Sequence, residues 1–209
     1  MRQHANPLSK VFKDIQPIPP LKEIFNDFTK PLHLDIGCGS GDFLMNLAKN
    51  NKNWNYIGLE IREKLVAKSK SKLKDESIDN LFFAYGNAEY LIEDCIGKFP
   101  VDVVSSVSFN FPDPWFKKKH HKRRVVQPLL INKISQLMAN GGYISIKSDV
   151  EELFEYMDLI ITNSKIFNTY IYQDSEIIHS YNPINLKTNR EMYVMRKKLK
   201  VLDRIYKKI

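Results

Sequence analysis

Asp35-Ile36-Gly37-Cys38-Gly39-Ser40-Gly41 is the stretch that decides the fold of this 209-residue chain. The run before it, Leu32-His33-Leu34-Asp35-Ile36, reads as a short strand, and Phe43, Leu44, Leu47 and Ala48 after it share one side of a helix. Glycines at a strand-to-helix turn permit unusual φ/ψ and let a ligand come close to the backbone. The spacing here is G-x-G-x-G, whereas the dinucleotide fingerprint is G-x-G-x-x-G, and Phe43 stands where that fold wants a small residue for helix packing. No Lys with Ser or Thr completes a phosphate loop either. The turn therefore argues against NAD, FAD and a P-loop nucleotide.

Outward from this turn, strand-like and helix-like runs alternate. Residues 56–60, 81–85, 101–107 and 143–146 read as further strands. A Lys-rich helix is expected over 62–74, a solvated face by its charge. Another over 125–138 puts Leu129, Leu130, Ile134, Leu137 and Met138 on one side, with Gly141-Gly142 stopping it, and a third carries Leu153, Phe154, Met157, Ile160 and Ile161. Residues 167–172 and 192–195 read as two late strands, and Leu199, Leu202, Ile205, Tyr206 and Ile209 fit a short basic amphipathic helix. The alternation predicts an α/β fold: a doubly wound, mostly parallel seven-stranded sheet, covered on both faces, with an antiparallel hairpin at one edge. It divides into an N-terminal arm and first helix (1–30), a main domain (31–197) and a C-terminal helix packed on that domain (198–209).

Two features suggest chemistry on a polyanion. Phe109-Asn110-Phe111-Pro112-Asp113-Pro114-Trp115-Phe116 holds one acid between two prolines and among aromatics, a stiff and partly apolar setting. Eight consecutive basic residues, 117–124, follow it within a chain of net charge +8. Phe111 and Trp115 read either as a stacking platform for a base or as core. His120-His121 reads as a polar loop and not a metal site, because no second ligand pair follows. The only cysteines, Cys38 and Cys95, fit neither a disulfide framework nor a zinc site, no apolar run approaches a membrane span, and no signal-peptide pattern opens the chain; a cytoplasmic setting without membrane or metal is expected. Glu60 ends the second strand, nineteen residues after Gly41, where a carboxylate can accept both hydroxyls of a ribose. Asn87, after the third, can offer its amide to an adenine edge.

Loop, spaced acid and element order together resemble the class I, Rossmann-like, S-adenosylmethionine-dependent methyltransferases. Phe111-Pro112-Asp113-Pro114-Trp115, followed by Lys117, His120 and Lys122-Arg123-Arg124, closely resembles the bacterial tRNA (guanine-N7-)-methyltransferase family. Arg2-Gln3-His4-Ala5-Asn6-Pro7, Ser148-Asp149 and Thr188-Asn189-Arg190-Glu191 match it too. The resemblance implies tRNA as partner, S-adenosylmethionine as donor, and N7 of the variable-loop guanosine (position 46 in tRNA numbering) as target. It implies donor contacts from Asp35, the loop glycines Gly37, Gly39 and Gly41, Glu60, Asn87 and Asp113, with Asp113 also catalytic. Asp35 has a second reading, in which it serves the fold by holding loop amides. Lys117, Asp149, Thr188, Asn189, Arg190 and Glu191 are the implied substrate contacts, and Lys119, Lys122, Arg123 and Arg124 are expected on phosphates. Asn87 departs from the family's usual Asp. A monomer or a homodimer fits equally. An exocyclic-amine methyltransferase is the rival reading, although such enzymes place two adjacent prolines after the polar residue; a non-catalytic RNA-binding module is the third.

Overall fold

β1 (Leu32–Ile36) and β2 (Asn55–Glu60) are buried along their entire lengths, as central strands covered on both faces must be. In the computed structural model, which describes residues 5–12, 16–170 and 185–209, they lie in the middle of a seven-stranded sheet. The other strands are β3 (Leu81–Tyr85), β4 (Val104–Asn110), β5 (Met138–Ser148), β6 (Phe167–Tyr170) and β7 (Leu202–Lys208). Their order is β3-β2-β1-β4-β5-β7-β6, with β1 to β5 parallel and β7 antiparallel to both its neighbours. Among the described residues the helices are α1 (Leu21–Ile24), α2 (Asp42–Asn50), α3 (Glu63–Asp75), α4 (Ala88–Cys95), α5 (Pro128–Leu137), α6 (Glu151–Asn163) and α7 (Asn189–Arg196). Winding reverses between β1 and β4, and a ligand crevice opens at the carboxyl ends of an open α/β sheet at such a point.

Two apolar layers enclose the sheet. One gathers Leu91, Leu130, Ile134, Met157 and the arm residues Ile18, Leu21 and Phe25. The other packs Leu44, Leu47 and Val66 on Tyr56 and Phe83. Each fully buried side chain of this size stabilises the fold by about 1.5–3 kcal/mol. α2 begins at Gly41, whose φ is +72°. A Cβ there would stand 2.5 Å from the Phe83 ring and 2.9 Å from Ser69 Oγ, so no other residue fits the turn without moving the core.

The expected fold class stands, but several elements differ from the sequence reading. Residues 198–209 do not form a helix: β7 occupies Leu202–Lys208, inserted between β5 and β6. Its adjacent residues Ile205 and Tyr206 are both buried, because both faces of that strand are covered, and such a pair also fits one face of a helix. Residues 192–195 belong to α7 and not to a strand. Thr188 caps this helix, its hydroxyl accepting from Glu191 N at 3.1 Å, and of the four only Val194 is buried. The antiparallel edge is thus made by β6 and β7. α5 ends at Leu137, four residues before Gly141-Gly142, which instead lie in β5 beside a register shift against β4. β4 starts at Val104 and not 101, since Val101 is 80% exposed. α4 was not foreseen. Residues 171–172 of the expected late strand, and Arg2, Gln3 and His4, lie outside the described residues.

Candidate active site

Asp35, near the end of β1, is buried beside Ile36 and Gly37, which line the crevice. Its Oδ1 accepts from Ser108 Oγ at 2.7 Å and Asn110 Nδ2 at 3.1 Å, both on neighbouring β4. Burial pushes its carboxyl up to about 6; Ser108 and Asn110 oppose the rise and the charge of Glu60 adds to it. Behind it, His33 Nε2 meets Ser108 Oγ at 3.1 Å and His33 Nδ1 meets Ser106 Oγ at 2.9 Å. With Asp35 ionised and Ser108 donating to it, His33 carries its proton on Nε2. The ring is fully buried, and this pushes its pKa down to about 3. Asp35 thus serves the sheet beneath the crevice, and its bonds are to β4 and not to loop amides.

Above it the glycine turn folds back on β2. Gly37 N and Cys38 N donate to Leu59 O at 2.7 and 3.1 Å, and Gly39 N donates to Glu60 Oε2 at 2.9 Å. Glu60 is buried. Its Oε1 accepts from Arg62 N at 3.0 Å and Arg62 Nε at 2.8 Å, and its Oε2 from Arg62 Nη2 at 3.0 Å. These bonds to Glu60 hold the Arg62 guanidinium above its usual pKa against its partial burial, and the charges of Glu60 and Asp113 add to the effect. Sequence reasoning missed Arg62. The signal was a cation two residues beyond a strand-ending acid, within reach of its own neighbour.

Asn87 lies at the carboxyl end of β3, where its amide does other work than expected. Its oxygen caps α4, accepting from Glu89 N at 2.9 Å, and its Nδ2 donates to Pro7 O of the arm at 3.0 Å. Asn87 thus makes one bond at each end of its amide, to α4 and to the arm, and it also lines the crevice.

The Phe111–Trp115 segment leaves β4 under constraint. Phe111 and Trp115 have φ of +51° and +47°, a left-handed conformation that costs a non-glycine residue about 1–2 kcal/mol. Phe111 N donates to Lys147 O at 2.8 Å, tying the turn to β5. Phe111 is buried, so of the two expected platform aromatics only Trp115 is half-buried, with the Arg123 guanidinium 5.1 Å over its ring and His120 edge-on at 5.8 Å. The basic run forms a 3-10 turn, Lys118–Arg123, with Lys117, Lys118, Lys119 and Lys122 exposed.

Arg124 is the exception in that run and corrects the phosphate assignment. Its guanidinium is buried, donating to Pro114 O at 2.9 Å and Glu152 Oε1 at 2.8 Å and covering Tyr156 at 4.7 Å. It holds the Pro114 turn in place and has no face for a phosphate.

One cavity collects Gly37, Glu60, Arg62, Asn87, Asp113 and Trp115 on its wall, together with Lys122 and Arg123 and the arm residues Ala5, Pro7 and Leu8. Asp35, Gly39, Gly41, Lys117 and Lys119 are not on that wall. The late segment is also off this wall, though it sits on the same edge of the sheet. Arg190 pairs with Asp149, and Lys147 Nζ donates to both Glu191 oxygens at 3.0 and 3.1 Å. Asn189 Nδ2 reaches Asp42 Oδ2 at 3.4 Å, at the start of α2. Among the described residues no group of three or more His, Cys, Asp or Glu is placed to hold a metal ion, and no helix is long and apolar enough to cross a membrane.

A family model described as a putative methyltransferase matches residues 29–204. A tRNA (guanine-N(7)-)-methyltransferase of Prochlorococcus marinus subsp. pastoris is 53% identical over 209 residues, covering 100% of each chain. One from Synechococcus elongatus is 36% identical, covering 99% of this chain and 95% of that one. Among solved structures, an antibiotic-related methyltransferase is similar in fold at 19% identity, with a TM-score of 0.60 over 90% of this chain and 92% of that one.

Proposed function

The chain belongs to the tRNA (guanine-N(7)-)-methyltransferase family, and on that premise we propose that it methylates N7 of a guanine in tRNA, the variable-loop guanosine at position 46. S-adenosylmethionine is the donor; when bound it supplies an activated methyl group on a sulfonium. The observation that supports this reading best is the meeting of Gly37, Glu60 and Asp113 on one wall at the switch point of the sheet. The residues fit such a donor. A Cβ on Gly37 would meet nothing within 4 Å, so the backbone there borders open space, and Glu60 presents a charged acceptor suited to a ribose diol. Asp35, Glu60 and Asp113 give the crevice a negative field that favours a cationic sulfonium and, later, a cationic purine.

Guanine N7 carries an in-plane lone pair and no proton. The new N–C bond forms as the donor's C–S bond breaks, and positive charge passes to the purine. Nothing needs to be deprotonated, so the chain's task is to align the base, exclude water and stabilise that charge. Asp113, fixed by its prolines, accepts from the guanine N1–H and N2–H₂ edge or faces the growing positive charge. Trp115 offers a ring for stacking, a contact worth about 1–3 kcal/mol. Exposed Lys119 and Lys122 hold phosphates without reading sequence, while Lys117, Asp149 and the Thr188 to Glu191 run position the RNA. Ala5, Pro7 and Leu8 of the arm (1–30) border the crevice, which belongs to the catalytic domain (31–197). The setting is the cytoplasm, as monomer or homodimer.

The test is incubation of purified protein with labelled donor and unfractionated tRNA, followed by nucleoside analysis. The label should appear in 7-methylguanosine. Label on an exocyclic amine would replace this reading with the rival one, and donor or RNA binding without transfer would reduce the chain to a binding module.

A further inference from the structure

Arg62 stands on the cavity wall, and the reaction as described gives it no role. An ionised carboxylate offers about four lone-pair sites. On Glu60 the four donors fall two to each oxygen: Gly39 N and Arg62 Nη2 on Oε2, Arg62 N and Arg62 Nε on Oε1. One donor on each oxygen is a backbone amide, fixed by the turn. The other on each comes from a single guanidinium. A ribose bound at Glu60 asks for the same arrangement, two hydroxyls of one vicinal diol, one on each oxygen. Diol and guanidinium therefore need the same two lone pairs.

We propose that Arg62 is a built-in stand-in for the donor's ribose: it occupies one lone pair on each Glu60 oxygen before the donor arrives and leaves them when the donor binds. The inference rests on the assignment of Glu60 to the donor. The side chain of Glu60 is 2% exposed, and a buried carboxylate stripped of its partner is strongly disfavoured, so a placeholder is needed. The side chain of Arg62 is 39% exposed, so its charge can turn toward water without a second buried partner. Asp113 already acts on that charge from the same cavity and is the carboxylate it faces after release. Release thus delivers a cation toward the catalytic acid at the moment the donor is seated. It also means that donor affinity is lowered by the fraction of time Glu60 spends with Arg62.

The test is calorimetry with S-adenosylhomocysteine on the full-length protein and on Arg62→Ala, Arg62→Lys, Glu60→Ala and the Arg62→Ala/Glu60→Ala pair. Arg62→Ala should bind about 3–10-fold tighter than wild type, the scale of one or two net hydrogen bonds, and Arg62→Lys should gain less. Glu60→Ala should bind more weakly, and adding Arg62→Ala to it should change nothing further. Wild-type protein provides a readout independent of any variant's folding. The Arg62 Nε–H should be protected from exchange without ligand and lose protection at saturation. Weaker or unchanged binding in Arg62→Ala, or an Nε–H still protected at saturation, overturns the stand-in while the donor site survives. Undiminished binding in Glu60→Ala would instead remove Glu60 from the donor site and the premise with it.

Discussion

Asp113 lies between Pro112 and Pro114, with left-handed Phe111 and Trp115 at the ends of the turn, so the backbone aims its carboxylate. A group set this firmly suits orientation and charge stabilisation better than proton removal. Asp113→Ala should lower turnover by about 10²–10⁴-fold, the range for one preorganised polar group. Asp113→Asn should suffer comparably, because its amide NH₂ would face guanine's own donors; fold and tRNA affinity should persist. Single-turnover rates should show no guanine deprotonation near neutral pH. A tenfold rise per pH unit, lost in Asp113→Asn, would mean that a proton is removed and would move the target to an amine. Asp35 titrates differently. Its carboxyl ionises near 3.9 in an unfolded chain and at about 6 in the fold, so the unfolded chain releases the proton first as pH rises. The stability contributed by the raised carboxyl is full below about pH 4 and is lost through pH 6, up to about 3 kcal/mol. Asp35→Asn keeps the oxygen that Ser108 and Asn110 bind but does not titrate. In urea denaturation it should gain about 1 kcal/mol on wild type between pH 5 and pH 7. A gap that stays constant with pH would show that Asp35 does not titrate there.

The basic turn, as an element, divides its cations by burial. Lys119 and Lys122 are exposed, whereas Arg124 is buried under the Pro114 turn. Lys119→Ala with Lys122→Ala should flatten the dependence of log tRNA affinity on log salt by about 0.7–0.9 for each phosphate no longer neutralised, with donor binding intact. Arg124→Ala should leave the slope alone and destabilise the fold by about 1–3 kcal/mol, since Pro114 O loses its donor. An unaltered slope in the lysine pair would place phosphate elsewhere. Sequence distinguished these roles poorly because adjacent Arg123 and Arg124 are the same residue type; burial separates them, and it depends on Glu152 and Tyr156 far along the chain. Local signals served best where the determinants were local. β1, β3 and the glycine turn fell where periodicity and the glycines put them. α7 was legible too, since Thr188-Asn189-Arg190-Glu191 has the S/T-x-x-E form of a capping box, but the short apolar run after it outweighed the cap. At Glu60 the carboxylate was legible and its occupation by Arg62 was not, because turn geometry creates that contact.

Across the whole molecule charge is sorted by depth. The chain carries +8, with lysines exposed along the 3-10 turn, while Asp35 and Glu60 are buried in and beneath the crevice and Asp113 is on its wall. A cationic exterior draws the RNA backbone and an acidic interior suits a cation in transit. The sheet depends equally on distant parts. β7 carries both the pairing to β5 and the pairing to β6, so a chain ended after Lys200 should lose cooperative unfolding in calorimetry; a terminal helix would have been dispensable. A sharp transition in that truncated chain would show that the parallel half stands alone. The insertion also sets a timetable. β6 is synthesised before β7, its partner among the described residues, and it waits for that partner while residues 171–201 are being added. A nascent chain therefore carries a nearly finished crevice on an unfinished sheet, and an exposed strand edge invites wrong pairing. The short length of β6, four residues, limits that hazard during translation.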